Sequence, residues 1–174
     1  MSCGKSSEIG KTVSDKALNP APLGLEIHYA NINGVKEKYN NVHFVKSNEL
    51  DQYTGGVVLT ASGAGFNVTG LKSATFIFSK EGVLEHLGLV MNKDVVAMEQ
   101  NLSAKYQVIS KNIDTFMGYG QAQYQAGDTV IKLIGDHLAF NMLVLYTYKP
   151  LFDKSQQEAA EQETKSAKEQ NSKF

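Results

Sequence analysis

The sequence predicts an α+β fold made of two tandem units, each a helix followed by an antiparallel meander of strands. Its 174 residues are enough for one domain with a sizeable core. Helical spacing and strand alternation of apolar residues each occur twice between residues 23 and 152. A short motif also occurs twice. Each copy consists of Lys-Tyr, then an apolar stretch, then a turn of Lys, Asn and Asp, and the two copies begin at Lys38 and at Lys105. We expect the two meanders to join into one curved antiparallel sheet with both helices packed on the same face.

A short helix opens each predicted unit. The first is expected to begin after Asn31 and the second after Asn92, because Asn is favoured at the N-terminus of a helix. Apolar side chains then recur at the spacing of one helix face. They are Ile32, Val35 and Tyr39 in the first helix and Val95, Met98, Leu102 and Tyr106 in the second.

Strands of alternating apolar residues follow each helix. Turns that contain glycine, at residues 80–82 and 126–128, separate two pairs of them. Leu138 and Phe140 continue the alternation of the last strand towards its start, so we expect this strand to begin at His137. The predicted strands are 56–60, 72–79 and 83–91 in the first unit and 119–125, 129–134 and 137–148 in the second.

The composition divides the chain into three parts. Residues 1–22 are small and polar with almost nothing to bury, which predicts a flexible tether. Residues 23–152 are expected to form a single folded domain, with repeats of about 23–91 and 92–152. Residues 153–174 consist mostly of Gln, Glu, Lys, Ser and Ala without an apolar face, which predicts a polar tail that is helical or disordered.

Charge and cysteine content exclude several classes of protein. The 17 basic residues are all Lys, and with 18 acidic residues the net charge is -1, so the sequence predicts no surface for nucleic acid. A single cysteine, Cys3, cannot form an internal disulfide or a cysteine-rich zinc site. No apolar run reaches the ~18 residues that span a bilayer. Membrane attachment is therefore expected only through a lipid on Cys3.

The motifs of common enzymes fail in this chain. Thr60 stands where a nucleophile elbow around Ser62 requires glycine, and Val68 stands at the third glycine of a dinucleotide loop. The four histidines lack the spacing of metal ligands, and two of them, His86 and His137, are interpreted as surface residues of strands. We therefore predict no enzyme activity, no catalytic residues, no metal and no cofactor.

The start of the chain resembles a bacterial lipoprotein junction. Met1-Ser2-Cys3-Gly4 matches the pattern in which a small residue precedes the cysteine that is lipidated after the signal peptide is removed. The resemblance implies a lipid on Cys3, and Gly4 favours sorting to the outer membrane. It implies a periplasmic location, anchored to the outer membrane of a Gram-negative bacterium.

The order of the predicted elements resembles the tandem helix-plus-meander modules of the β-lactamase-inhibitor-protein fold and of small outer-membrane lipoproteins of the SmpA/OmlA type. Locally, Leu25-Glu26-Ile27 leads into the helix that holds Val35 and Tyr39, as in those families. Where they usually have Gly and Thr before this helix, the chain has His28-Tyr29-Ala30. The resemblance implies the same fold and an envelope location.

One loop is a candidate binding site. Ser62-Gly63-Ala64-Gly65-Phe66 is similar to the Ser-Gly-x-x-Tyr loop with which some periplasmic lysozyme inhibitors plug an enzyme cleft, with Phe66 in place of Tyr. A glycine-rich loop with one hydroxyl and one aromatic ring can enter a groove at little cost in side-chain entropy. The alternative is a flexible connection between two strands.

Three functions stay open on the sequence alone. The first is a non-catalytic, lipid-anchored envelope protein that binds another protein through its sheet or its loops. The second is an inhibitor or immunity protein that blocks a periplasmic enzyme. The third is a small-ligand binding protein, or an enzyme whose residues converge only in space. A deep pocket with titratable side chains would favour the third, whereas a stable co-purifying envelope partner would favour the first.

Overall fold

A computed structural model describes residues 19–173 of the chain. Cys3 and most of the predicted tether lie outside the described residues. Within these residues, a 3₁₀ turn at Pro22–Gly24 precedes three α-helices, which are α1 (Ile32–Lys38), α2 (Val95–Lys105) and α3 (Lys149–Asn171). The eight strands are β1 (Val45–Lys46), β2 (Gly55–Ser62), β3 (Leu71–Ser79), β4 (Leu84–Asn92), β5 (Gln107–Asp114), β6 (Tyr119–Ala126), β7 (Thr129–Gly135) and β8 (Asn141–Tyr148).

All eight strands form one antiparallel sheet in the order β1-β2-β3-β4-β8-β7-β6-β5. Strands β4 and β8 form its centre, and β1 and β5 are its two edges, so the sheet is open. This confirms the prediction of an α+β fold with an antiparallel sheet. The finer predictions, that the two halves are repeats and that two helices share one face, stay predictions.

The helix ends follow from local hydrogen bonds. The side chain of Asn31 accepts a hydrogen bond from the backbone N–H of Gly34 at 2.8 Å, which confirms the predicted start of α1. The predicted start of α2 is wrong: Asn92 is the last residue of β4, and Asp94 accepts from the N–H of Ala97 at 3.2 Å instead. An aspartate two residues later therefore takes the role expected of the asparagine.

The hydrophobic core lies against one face of the sheet, here called the core face. One row of five buried side chains crosses it from β3 to β6, in the order Phe76, Leu87, Tyr146, Ile131 and Tyr124. Successive residues of a strand point to opposite faces, so the residues between them belong to the other, outer face. The regular alternation of Ala74, Phe76 and Phe78 is what made β3 predictable.

Helix α3 begins against the outer face. Leu151 and Phe152, in its first turns, line a cavity together with Ile77 of β3 and Leu145 of β8. From residue 159 onward the side chains of α3 are exposed to solvent. The helix thus covers part of the outer face with its first half and extends beyond the body of the protein with its second half.

The predicted start of the last strand is wrong. Strand β8 begins at Asn141, and residues 136–140 form a loop in which the N–H of Ala139 donates to the backbone carbonyl of Asp136 at 3.2 Å. Leu138 and Phe140 matched a strand pattern, but the chain needs these residues to reverse direction after β7. Their side chains consequently point into solvent.

Candidate functional site

Two chain reversals lie side by side at one end of the sheet, here called the tip end. Residues 115–118 connect β5 to β6, and residues 136–140 connect β7 to β8. Because β6 pairs directly with β7, the two reversals are neighbours. Tyr119 follows the first reversal, His137 lies within the second, and their rings lie edge to face with their centroids 5.1 Å apart.

Large apolar side chains project from both reversals into solvent. The exposed fractions are 94% for Phe116, 56% for Met117, 85% for Leu138 and 93% for Phe140. We call these four residues the apolar patch. A scattered exposed leucine needs no explanation, but several exposed Phe, Met and Leu side chains on two neighbouring loops are typical of a surface that binds a partner.

The first reversal holds its apolar residues in a fixed turn. The side-chain oxygen Oδ1 of Asp114 accepts hydrogen bonds from the backbone N–H groups of Phe116 at 2.9 Å and Met117 at 2.8 Å. The N–H of Gly118 donates to the carbonyl of Asp114 at 2.8 Å, and the φ of Gly118 is +70°, a conformation that glycine adopts readily. These bonds order the backbone that presents the two side chains, which lowers the entropy cost of binding.

The second reversal is tied to the start of α2. The Nζ of Lys93 donates to the carbonyl oxygen of Asp136 at 2.5 Å, and the N–H of Ala139 donates to the same oxygen. Both hydrogen bonds act on the backbone that leads to Leu138 and Phe140. Each half of the apolar patch therefore lies on a loop with its own fixing contacts.

The described N-terminal segment joins the fold at the opposite end of the sheet, here called the base end. The side-chain oxygen of Asn19 accepts a hydrogen bond from the N–H of Asp128, in the turn between β6 and β7, at 2.8 Å. The strands between that turn and the tip end have seven or eight residues, a length of about 25 Å. The apolar patch and Asn19 are thus separated by the length of a strand.

The predicted binding loop also lies at the tip end, between β2 and β3. Ser62 is the last residue of β2 and is exposed, whereas Gly63 is buried and donates its N–H to the carbonyl of Lys72 at 2.8 Å. A Cβ atom on Gly63 would come within 1.9 Å of the carbonyl oxygen of Leu71. Gly63 thus permits close packing of the backbone, and Gly65 has a φ of +92°.

Phe66 lies in the core rather than projecting from this loop. Its exposed fraction is 5%, and its ring packs against the rings of Tyr39, Phe44 and Phe76. The exposed residues of the loop are Ser62, Ala64 and residues 67–69. The proposed likeness to an inhibitor loop depended on an aromatic ring that this structure uses to close the core.

A histidine–glutamate pair lies at the base end. Nδ1 of His28 is 3.0 Å from the carboxylate of Glu85, and the imidazole stacks on the ring of Tyr148 with centroids 3.8 Å apart. Burial raises the pKa of Glu85, and the hydrogen bond and the charge of His28 oppose that shift. The backbone of His28 has a φ of +70° and donates to the carbonyl of Leu84 at 2.7 Å. These contacts fasten the segment before α1 to the start of β4.

A second buried carboxylate links α2 to the sheet. Glu99 accepts hydrogen bonds from Nζ of Lys111 at 2.7 Å and from the hydroxyl of Tyr124. Burial alone would raise the pKa of Glu99, but the hydrogen bonds and the charge of Lys111 outweigh it and the pKa is lowered. Every oxygen of this carboxylate has a partner, which is what a structural ion pair between helix and sheet requires.

The remaining histidines do not form a metal site. Within residues 19–173, no three His, Cys, Asp or Glu side chains come together in a way that could hold a metal ion. His86, interpreted from the sequence as a surface residue, instead lies beside the cavity under α3. None of the helices in this part of the chain has the length and apolar composition to cross a membrane.

Comparisons of the chain with protein-family models, with curated proteins and with solved structures found no match. The resemblances to bacterial lipoproteins and to the β-lactamase-inhibitor-protein fold therefore stay predictions from the sequence. Cys3, on which the first of them depends, lies outside the described residues.

The apolar patch is the feature that the sequence interpretation missed. Phe116 and Met117 lie between Asp114 and Gly118, which together mark a tight turn, and an apolar pair inside such a turn cannot be buried by the strands on either side. This signal was available in the sequence. Leu138 and Phe140 gave no such signal, because their alternation is also that of a strand.

Proposed function

We propose that this chain is a non-catalytic, lipid-anchored envelope protein that binds another protein through the apolar patch at its tip end. The single observation that supports this function most strongly is the exposure of Phe116, Met117, Leu138 and Phe140 on two adjacent, hydrogen-bonded reversals. Aromatic and large aliphatic side chains that fill a pocket of a partner contribute much of the binding energy at protein interfaces.

The charges beside the patch favour a protein partner over a lipid surface. Two carboxylates, Asp114 and Asp136, flank the reversals in sequence, and His137 lies within the second reversal. The ammonium group of the nearby Lys93 donates to a backbone carbonyl. Surfaces that bind anionic membranes instead combine apolar residues with clusters of Lys or Arg. A complementary partner would present an apolar pocket with basic residues around its rim.

The proposed anchor agrees with the position of the patch. A lipid on Cys3 would connect to the fold through Asn19 at the base end, a strand length away from the patch. The tip end would then be free to meet a partner in the periplasm. Support for the anchor comes from Met1-Ser2-Cys3-Gly4, and support for the binding surface comes from the loops, so the two parts of the proposal can be tested separately.

Substitution within the patch tests the binding part. We expect Phe116→Ser with Phe140→Ser to abolish co-purification of a specific partner from membranes of the cells that make the protein. The matched control is Tyr29→Ser with Leu50→Ser, two other exposed apolar residues, which should retain the partner. Both double variants should melt within about 2 °C of the unchanged protein, because the substituted side chains are exposed.

Three results would contradict this proposal. They are equal retention of the partner by both double variants, loss of the partner from the control variant alone, and binding of the purified protein to protein-free lipid vesicles that depends on Phe116 and Phe140. The last result would assign the patch to a membrane surface instead.

The anchor is tested by the intact mass of the protein recovered from its native membranes. We expect the mass of the chain from Cys3 onward plus a diacylglyceryl group and an acyl chain. A chain that retains Met1 and carries no lipid would overturn the anchored location and leave the binding proposal standing.

A role as an enzyme inhibitor is the second candidate, favoured by the shared position of three loops. The carbonyl of Gly70, at the end of the β2–β3 loop, accepts from the N–H of Asn92, and Asn92 pairs with Asn141 beside Phe140. The exposed residues 67–69 and the apolar patch thus lie along the same end of the sheet. If the partner is a hydrolase, Val68→Asp should weaken its inhibition; inhibition unchanged by Val68→Asp and by the patch variant would exclude this role.

We also propose that the two halves are structural repeats with α1 and α2 on the core face. Supporting observations are the element order, a helix and four strands in each half, and the helix ends at Lys38–Tyr39 and Lys105–Tyr106. Glu99 of α2 contacts Tyr124 on the core face, and Tyr39, which caps α1, contacts Phe66 above Phe76. An experimental structure whose halves superpose strand by strand would support the repeat, and one with unrelated helix positions would refute it.

A further inference from the structure

A cavity of about 280 Å³ lies between the outer face of the sheet and the first turns of α3. Much of its wall is apolar, from Ile77, Leu145, Leu151 and Phe152. Its volume is at the lower end of the range of ligand pockets, so it suits a small molecule rather than a peptide. None of the contacts used in the proposed function involves this cavity.

His86 supplies a hydrogen-bonding group inside the cavity. Its Nδ1 lies 2.8 Å from the hydroxyl of Thr147, and within residues 19–173 its Nε2 has no hydrogen-bond partner in the protein. Gly88 leaves room for the ring, since a Cβ atom there would lie 3.1 Å from Nε2. Burial lowers the pKa of His86 to about 4 although the charge of Asp51 opposes the shift, so the imidazole is neutral at pH 7.

The charged side chains of the lining favour an anionic ligand. Lys132 lines the cavity, its Nζ lies 5.9 Å from the centre of the Phe152 ring, and among the described residues it has no carboxylate within ion-pair distance. The acidic residue of the lining, Asp51, uses Oδ2 to accept from the N–H groups of Tyr53 and Thr54 at 3.0 and 2.8 Å. The cavity therefore offers one cation without a carboxylate partner, and a carboxylate that keeps its charge but is held by two backbone N–H groups of its own loop.

We propose that this cavity binds a small amphipathic carboxylate, with its hydrocarbon part against Ile77 and Leu145 and its carboxylate at Lys132. His86 and Thr147 add a neutral hydrogen-bonding pair within the apolar wall. When the Thr147 hydroxyl donates to Nδ1, Nε2 carries the proton and can donate to a ligand oxygen. Phe152 and Leu151 close the site, so ligand binding would also fasten the first turns of α3 to the sheet.

The test uses hexanoate as the probe, with hexan-1-ol and hexylammonium as matched neutral and cationic probes. Binding to the full chain is followed by NMR titration of the methyl groups of Ile77, Leu145 and Leu151. We expect saturable shifts of these methyl groups with hexanoate, and roughly tenfold weaker binding of hexan-1-ol, because it lacks the charge-assisted contact with Lys132. Hexylammonium should bind more weakly still.

Two variants decide whether the site is the one described. Lys132→Met should reduce hexanoate binding to the level of hexan-1-ol, whereas Lys72→Met, at an exposed lysine of β3, should leave it unchanged. Leu145→Trp should fill the cavity and abolish binding of all three probes. Equal binding of the three probes, a preference for hexanoate that survives Lys132→Met, or shifts confined to other methyl groups would each overturn the proposal. Lys132 is partly exposed, so the Lys132→Met variant should fold. Its comparison with the unchanged protein remains decisive if Leu145→Trp does not fold.

Discussion

Two phenylalanines at the tip end have opposite environments. Phe66 belongs to a glycine-rich loop and turns inward onto Tyr39 and Phe76, while Phe116 belongs to a turn fixed by Asp114 and points into solvent. Sequence context alone suggested a projecting ring at Phe66, because the glycines around it resembled a projecting loop, and gave no prediction for Phe116. Whether a ring is buried depends on which elements lie beside its loop, and this is a tertiary property.

Alanine substitution at these two positions should show the difference. We expect Phe66→Ala to lower the free energy of unfolding by about 3–5 kcal/mol, because it leaves a cavity among aromatic rings. Phe116→Ala is the matched control and should change it by less than about 0.5 kcal/mol. The measurement is urea unfolding followed by far-ultraviolet circular dichroism. Similar losses in both variants, or none in either, would contradict the assignment of Phe66 to the core.

The carboxylate of Glu99 should make stability depend on pH in the acid range. Its pKa is lower in the folded chain than the usual value of 4.5, so the stabilisation is complete above that value and is lost as the pH falls through the folded-state pKa. We expect Glu99→Gln to cost about 1–3 kcal/mol at pH 7, since Lys111 is partly exposed and the amide can keep one hydrogen bond.

The pH dependence separates this contact from a general loss of packing. Between pH 5 and pH 2 the unchanged protein should lose stability more steeply than Glu99→Gln, as measured by urea unfolding at each pH. Parallel pH profiles for the two proteins would show that Glu99 does not keep its lowered pKa in solution.

Helix α3 combines two segments of different character. Its first turns line the cavity on the outer face, but from residue 159 to its end its side chains are exposed, and an isolated helical segment of this length is marginal in water. A chain that ends after Glu158 should keep its melting temperature within about 2 °C and lose helical circular dichroism. Leu151→Ala with Phe152→Ala should lower the melting temperature instead. A large loss of stability on truncation would show that the second half of α3 has a packing role.

Elements with a strong local signal were predictable from the sequence, and those set by tertiary contacts were not. The alternation along β3 predicted that Phe76 and Phe78 point inward. Helical spacing after Asn31 predicted α1. The start of β8 was missed because Leu138 and Phe140 continue an alternating pattern through a loop. Alternation of apolar residues does not show where the chain must turn. Periodicity alone therefore overestimates the length of a strand that follows a short connection.

At the scale of the whole molecule, the sheet separates two ends with different properties. The base end receives the N-terminal segment through Asn19, and the His28–Glu85 pair fastens the chain there. The tip end presents the apolar patch on loops fixed by Asp114 and Asp136. This arrangement suits a protein held at one end and recognised at the other. The sequence supplied the candidate anchor, but the patch emerged only when the order of the strands brought the two reversals together.

The hydrogen bonds that hold the first reversal in a fixed turn should contribute to partner binding, even though they add no apolar surface. We expect Asp114→Ala to weaken binding of the partner roughly tenfold, because Phe116 and Met117 lose the hydrogen bonds that hold their backbone. The dissociation constant should be measured by calorimetry, with Asp114→Asn as the control, because its amide oxygen can accept the same two hydrogen bonds without the charge. An unchanged affinity for Asp114→Ala would show that the turn need not be ordered in advance.

Site-specific photocrosslinking in living cells tests the proposed binding surface most directly. A benzophenone side chain is placed at Phe116 or at Phe140, and the control position is Leu50, which is also exposed. We expect both patch positions to yield the same discrete adduct with one other protein and Leu50 to yield none. Adducts with lipid, adducts with a second copy of this chain, or an equal pattern from all three positions would contradict a partner-binding role for the apolar patch.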